Sequence, residues 1–542
     1  MKGLLQKYSW LIIPLLFLIY SAPGVLEFVF YFPDEKHYTD AALQMIETGD
    51  YWTPYKADGS PRFLKPIVTY WAMAGSYQIF GVSTISSRFF FWLAGALLVL
   101  TVFFMVKSIT RERKTAQLAA FITAANPLVI LSAGRSIPDI LLVLFLTISA
   151  WGFLEIMLVE VPSKKYYWFA WMGAALAFET KGIPAAGFAG ASILFLLINP
   201  WKRKKVYQIF EPVSLVASAV VALGWFGIMY LEHGADYLSS FYADQVGERV
   251  SSNVLLVLKN AFLSILTLVA VSLPWIVFVF SKPNQLKSFL KQQDSKFQAM
   301  FGFIAVWVLL IILMSAAVFK FYDRYLLPVI PLLSIFFALV LVHSETRFKQ
   351  GVQKLVIFLN LILLTVNVIV ILFISAKFIL VASAIYISFM LGARFFKNTA
   401  KELAIAHSIL LLFFNAFILL NAAVLPNPGE QLVKAIEKEH IPNNKEIYVY
   451  GSFSLASNIR IHGNNKLQVV GKNDDFSLPE KPGHLLVFSS KDKTHIDLTG
   501  YEIMKAAEEL PKIQPRKFPG SLQPAIQRIK ENGKEYFIGK PK

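Results

Sequence analysis

The sequence predicts an α-helical polytopic membrane protein of about thirteen transmembrane helices, with interfacial helices in a long first outer loop and a small C-terminal α/β domain. Three observations predict it. Of 542 residues, 56% are hydrophobic, 15% aromatic and only 16% charged, with a mean hydropathy of +0.54, whereas a soluble domain carries about 25% charge. Apolar runs recur along the first 426 residues, most of them near the roughly 20 residues needed to cross about 30 Å of hydrocarbon. At Pro426-Asn427-Pro428-Gly429 the composition then changes to that of a soluble segment, which divides the chain into a membrane domain, 1–426, and a C-terminal domain, 427–542.

The first run, Trp10 to Phe32, is read as a retained span, because no small-residue cleavage site follows a short apolar core. Further runs lie near 86–106, 115–133, 138–159, 166–180, 183–199, 207–231, 254–280, 297–319, 325–343, 355–376, 378–393 and 403–425. Alternate loops carry Lys107, Arg111, Arg113 and Lys114; Lys164 and Lys165; Lys202, Arg203, Lys204 and Lys205; Lys282, Lys287, Lys291 and Lys296; Arg347, Lys349 and Lys354; Arg394, Lys397 and Lys401. With Lys2 and Lys7 these fall on one side, which the positive-inside rule makes cytoplasmic. An odd number of spans places the C-terminus outside.

The net charge of +17 is part of the same signal. From Asn427 onward 18 Lys and Arg oppose 14 Asp and Glu, so most of the excess lies in the short loops of the membrane part. That distribution describes topology and not a nucleic-acid surface, and no nucleic-acid partner is expected. With no cysteine the chain has no disulfide, no thiolate nucleophile and no Cys-ligated zinc.

The first outer loop, 33–84, has structure of its own. Tyr38, Ala41, Ala42, Met45 and Ile46 recur at helical spacing while Asp40, Gln44 and Glu47 face away, which predicts an interfacial helix ended by Gly49 and Asp50. Asp58-Gly59-Ser60-Pro61 marks a turn, and Pro66 to Phe80, rich in Tyr and Trp, predicts a second interfacial helix. Beyond the linker, Gln431 to His440 looks helical, and 447–451, 467–470, 484–489 and 535–539 look like short buried strands. The domain lacks a GxGxxG fingerprint and a P-loop, so no nucleotide site is assigned to it.

An ionisable residue at membrane depth is costly and marks function. Asp34, Glu35, Lys65, Arg135, Asp139, Lys181, Arg249, Lys320, Tyr322 and Arg324 all map to outer span ends or outer loops. Each also has a plain reading. Asp34 after Pro33 is ordinary helix-start chemistry, as is Asp139 after Pro138 with Arg135 as local partner. Lys65 is a candidate snorkelling lysine, Arg249 a loop charge, and Lys320, Tyr322 and Arg324 interface anchors. The chemical alternative is that the cations hold a lipid phosphate by charge-assisted bonds while a carboxylate orients or deprotonates an acceptor.

The run DEKHYTDAALQMIETGDYWTPYKADGSPRFLKPIVTYW resembles the first periplasmic loop of the bacterial aminoarabinose transferase and protein O-mannosyltransferase superfamily. The resemblance continues through NPLVILSAGRSIPDI, ETKG at 179–182, SFYADQVGERV, LPW at 273–275 and KFYDRYLLPVIP, covering roughly residues 1–345 in order. It implies a C-type membrane glycosyltransferase fold and use of a polyprenyl-phosphate sugar. Carried over by residue, it implies catalytic roles for Asp34, Glu35 and Asp139, and donor-phosphate contacts for Lys65 and Arg249. Arg135, Lys320, Tyr322, Arg324 and His37 join the substrate-binding set. The chain departs from the pattern at His37, where the family often has Arg, and at Leu64, where it has Glu. The missing glutamate undermines a metal site, so no metal ligands are assigned and no obligatory cofactor is expected, with a divalent metal left open.

The resemblance implies transfer of a sugar from an undecaprenyl-phosphate-linked donor to lipid A or a related glycan, with inversion, at the periplasmic face of a bacterial inner membrane. Protein hydroxyls are the alternative acceptor. A polyprenyl-lipid transporter without chemistry is the rival of another class, although the sequence has no evident inverted repeat.

Overall fold

The computed structural model describes residues 8–26, 34–243, 247, 251–280, 283–343, 399–424, 427–439, 446–472, 484–509 and 534–542. The predicted runs at 355–376 and 378–393 lie outside them; the others all carry helix. In chain order the helices are α1 (Ser9–Leu26), α2 (Glu35–Thr48), α3 (Val68–Phe80), α4 (Thr84–Thr110), α5 (Arg113–Ala124), α6 (Pro127–Ala133) and α7 (Asp139–Leu158). Then come α8 (Lys164–Lys181), α9 (Ile183–Ile198), α10 (Pro212–Tyr242), α11 (Val254–Val271), α12 (Trp275–Phe280), α13 (Pro283–Gln292), α14 (Ser295–Ala316) and α15 (Ile330–His343). A 3-10 turn, Asp323–Val329, leads into α15; α16 (Thr399–Val424), α17 (Pro428–Lys438) and α18 (Phe453–His462) complete the set.

Among the described residues six helices are long and apolar enough to cross a membrane: α4, α7, α10, α11, α14 and the stretch Asp323–His343. The predicted span 115–133 is instead the pair α5 and α6, bent by 62°. Asn126-Pro127 causes the bend. Proline has no N–H for the helical ladder, and the Asn126 side chain both caps α6 through the Leu128 amide (3.0 Å) and donates to Val271 O (2.9 Å).

The chain forms two compact units. One comprises Met1–Val25, Phe63–Thr69 and Phe91–Phe417; the other comprises Leu26–Arg62, Tyr70–Phe90 and Ile418–Lys542. This grouping differs from the division at 426/427 read from composition, because the first-loop helices pack with the C-terminal domain.

In the first unit α7 and α8 form an antiparallel hairpin whose backbones touch. A Cβ on Gly152 would sit 2.2 Å from Ala170 N, one on Gly173 would sit 2.7 Å from Ser149 N, and Ser149 Oγ donates to Ala170 O at 2.8 Å. Small residues allow this approach where helices pack in lipid. The hairpin brings the start of α7 to the end of α8, and so Asp139 to Lys181.

In the second unit α2 ends at Gly49 in the left-handed region, φ 74°, with its N–H returned to Met45 O. Asp58 Oδ1 accepts from Ser60 N and Oγ, closing the predicted turn. The C-terminal sheet contains β1 (Ile447–Tyr450), β2 (Val469–Lys472), β3 (Leu485–Ser489), β4 (Tyr501–Glu509) and β5 (Lys534–Pro541), in the order β2-β1-β3-β5-β4. The first three strands are mutually parallel and the last two antiparallel, with Ile447 opposite both Val469 and Leu485. Leu432, Val449, Ile459, Val487 and Ile538 close the core between the sheet and its helices. Strand β4 was not predicted: KAAEE is a helix-former's sequence, overridden by antiparallel pairing with β5 and by Lys505 pairing with Glu535 across the strands at 2.7 Å.

Candidate active site

In the first unit, Asp139 opens α7, but its carboxylate is not spent on a cap. Pro138 holds the cap position without a side-chain bond, and Asp139 Oδ1 accepts from Lys181 Nζ at 2.5 Å while Arg324 Nε stands 3.7 Å from Oδ2. Arg135 is thus one of several cations that act on Asp139 and not its sole partner. Arg135 acts on the same carboxylate through space, and the direct contacts come from residues distant in sequence. Aromatic faces hold the cations in turn. Lys181 Nζ lies 5.2 Å over Tyr325, and both Arg324 (4.5 Å) and Lys320 (5.1 Å) lie over Tyr322. The 3-10 turn after Lys320 thus gathers Lys320, Tyr322 and Arg324 as one group.

Asp139, Lys181, Arg324 and Tyr325 line a cavity of about 340 Å³ whose remaining wall is mostly apolar, including Leu142, Val143, Phe188, Ile311 and Met314. Ser315 also lines it, its buried hydroxyl without a hydrogen-bond partner among the described residues. Charged groups at one part of an otherwise apolar cavity suit an amphiphile with an anionic head. Lys65, also in this unit, is only 6% exposed and donates to Leu64 O at 2.8 Å, so it does not snorkel outward.

In the second unit Asp34 is half-buried and precedes α2 in a helical conformation, with no side-chain cap bond, so the simple capping role is not realised. Glu35 is fully buried and meets Arg88 fork to fork, Nε to Oε1 at 3.0 Å and Nη2 to Oε2 at 2.9 Å. His37 follows on α2, half-buried. Asp50 is held below the usual carboxylate range; burial pushes it up, but the Trp52 and Thr53 amides and the Tyr55 hydroxyl outweigh that. Arg249 lies outside the described residues.

Sequence reasoning missed Arg88, which sits in SSRFFF without a motif around it. It also passed over Glu179, two residues before Lys181, whose buried carboxylate lies beside the Ile67 backbone with no hydrogen-bond partner among the described residues. Among the described residues no group of three or more His, Asp or Glu is arranged to hold a metal ion.

Residues 64–225 match the family model described as dolichyl-phosphate-mannose-protein mannosyltransferase. A protein of Aquifex aeolicus whose function is uncharacterised is 25% identical over 453 residues, 83% of this chain and 86% of that one. The undecaprenyl phosphate-alpha-4-amino-4-deoxy-L-arabinose arabinosyl transferase of Yersinia enterocolitica is 31% identical over 195 residues, 36% of this chain, and the match spans only 35% of that relative's length. The crystal structure of ArnT from Cupriavidus metallidurans bound to undecaprenyl phosphate superposes with a TM-score of 0.69 at 15% identity, covering 98% of this chain and 97% of that one. Its apo form gives 0.70. The likeness extends over the whole chain and fixes the fold as the C-type membrane fold. The matched segments make this chain similar to bacterial aminoarabinose transferases and protein O-mannosyltransferases, and the solved ArnT structures share its fold.

Proposed function

We propose that this protein transfers a sugar from an undecaprenyl-phosphate donor to lipid A or a related lipid-linked glycan at the periplasmic face of the inner membrane. The observation that carries the reading is Asp139 with Lys181 and Arg324 on the wall of an apolar cavity. A prenyl tail finds apolar walls there, and its phosphate finds cations held in place by a carboxylate and two aromatic rings. The lysine- and arginine-rich loops on one side of the membrane support a cytoplasmic N-terminus and outer-face chemistry.

The step is one displacement. The acceptor oxygen forms a bond to the anomeric carbon as the bond from that carbon to the phosphate oxygen breaks, and the electron pair leaves with the phosphate. The acceptor proton passes to a carboxylate, for which Asp34 is proposed from the resemblance of the loop that carries it. The donor phosphodiester carries one negative charge and the departing phosphate monoester close to two, so Lys181 and Arg324 stabilise the transition state more than the ground state. Single displacement inverts the anomeric configuration. Asp139 then acts by orienting the cations, and Glu35, bound to Arg88, by fixing the first turn of α2.

Transfer to protein hydroxyls is the second reading, favoured by the match of residues 64–225 to the protein mannosyltransferase model. Both are tested by supplying purified protein in lipid with radiolabelled undecaprenyl-phosphate sugars and bacterial envelope acceptors, with Asp34→Asn alongside. Label entering the lipid A fraction with wild type alone supports the proposal, and label entering protein supports the second reading. Donor binding without transfer to any acceptor contradicts both and leaves a lipid transporter.

A further inference from the structure

The C-terminal domain has no recognisable nucleotide-binding motif, yet one of its helices reaches the helix that follows Asp34. Ser454, in the first turn of α18, donates to Asp40 Oδ2 at 2.9 Å, and Asp40 is only 3% exposed. At the other end of α18, Arg460 pairs with Glu47 in the last turn of α2. The contacts are seven residues apart on α2 and six apart on α18, in the same order, so the two helices run past each other in the same direction. Both ends suit the helix dipole of α18: a carboxylate meets its N-terminus, and a cation stands near its C-terminus.

The fold explains why this end of the domain is used. In an open sheet of order β2-β1-β3, the chain leaves β1 toward β2 and then crosses to β3, and the carboxyl end of β1 is the place where such sheets receive a ligand. Gly451 (φ 64°) and Ser452 turn the chain there into α18, and Ser452 caps it through the Leu455 amide. The carboxylate that meets α18 at this end belongs to the first loop of the same chain.

We propose that the C-terminal domain is a clamp on α2, with Ser454 and Arg460 as positioning residues that hold the helix and thereby the orientation of Asp34 and Glu35 at its start. The proposal rests on the transferase reading for its consequence on rate but not for its structural content. The same unit supplies a second brace on α2, Arg88 on Glu35, and a Tyr77 hydroxyl bonded to Ser87 (2.6 Å) fixes α3 against the start of α4 that carries Arg88.

The test uses the full-length protein in lipid, with Ser454→Ala/Arg460→Ala, Arg460→Glu, and Arg460→Glu combined with Glu47→Arg. Ser454→Ala/Arg460→Ala should lower kcat about tenfold, with KM for the donor unchanged, and should speed hydrogen exchange of the α2 amides. Arg460→Glu should be slow, and adding Glu47→Arg should recover most of the lost rate. Unchanged kcat and unchanged α2 exchange in Ser454→Ala/Arg460→Ala overturn the clamp, as does a charge-reversed pair no faster than Arg460→Glu alone. If wild type transfers no label to any acceptor, the transferase reading fails instead. The exchange result then decides the clamp: faster in the variant upholds it, equal overturns it.

Discussion

Glu35 and Asp139 are both buried carboxylates at the start of a helix, and both meet cations, but their surroundings differ. Glu35 meets one guanidinium in a bidentate geometry with both side chains out of solvent, at 1% and 0% exposure. Asp139 meets Lys181 and Arg324 at unequal distances, and its assembly lies on the wall of a cavity large enough for part of a ligand. The first arrangement fits a strut: planar fork against planar fork, with both side chains out of solvent. The second leaves cations where an anionic head group can approach. Paired charge alone therefore does not distinguish structure from chemistry; the presence of space beside it does.

Removing a cation therefore has different consequences in the two places. Arg88→Ala strands the Glu35 carboxylate in a dry environment and should cost about 3–5 kcal/mol, seen as loss of folded protein or a large drop in Tm. Lys181→Met leaves Asp139 with Arg324, so it should lower Tm less than Arg88→Ala does while lowering transfer by roughly a hundredfold, about 2.7 kcal/mol of phosphate stabilisation. A Lys181 variant that melts early but transfers normally when folded would reverse the assignment. Replacing both members of the buried pair, Glu35→Gln with Arg88→Met, should recover much of the stability lost in Arg88→Ala, measured by the same melt.

His462 sharpens the comparison from the pH side. Burial pushes its imidazole down to about 4, with Glu430 favouring the charged form and Arg88 and Lys434 opposing it, and Asn427 Nδ2 stands 2.9 Å from its Nε2. The unfolded chain therefore takes up its proton near pH 6.5 and the folded chain only near 4. Stability from the neutral ring is complete above pH 6.5 and falls as pH drops from 6.5 toward 4. Melting of wild type between pH 7 and 4.5 should show this slope, and His462→Asn should flatten it. The smallest effect is expected from metal removal. With Leu64 where a metal-binding pattern would place a carboxylate, transfer should persist in excess EDTA, and its abolition would show that an ion is needed.

Much of this architecture is written in the sequence, in signals of unequal strength. The spans are legible because lipid imposes length and apolarity, and the first-loop helices because apolar spacing and Gly49 mark their face and end. The cluster around Asp139 is half legible. Asp139, Lys320, Tyr322 and Arg324 declare themselves as ionisable or aromatic residues at span ends, but the pairing of Asp139 with Lys181 depends on Gly152 and Gly173 letting two backbones touch. Those glycines read simply as small residues in apolar runs. Arg88 gave no signal, since its meaning comes from Glu35, 53 positions away. Strand β4 was hidden for a related reason: KAAEE favours helix locally, and only β5 makes it a strand.

The central claim is that Lys181 and Arg324 hold the phosphate of a lipid donor beside the apolar cavity. It is tested most directly by the affinity of undecaprenyl phosphate for wild type and Lys181→Met in lipid nanodiscs, read by equilibrium binding without any acceptor. The account predicts binding weaker by at least about tenfold in the variant, with prenol, which lacks the phosphate, binding both proteins alike. Equal affinity of the phosphate lipid for both proteins would contradict it and move the donor site away from Asp139.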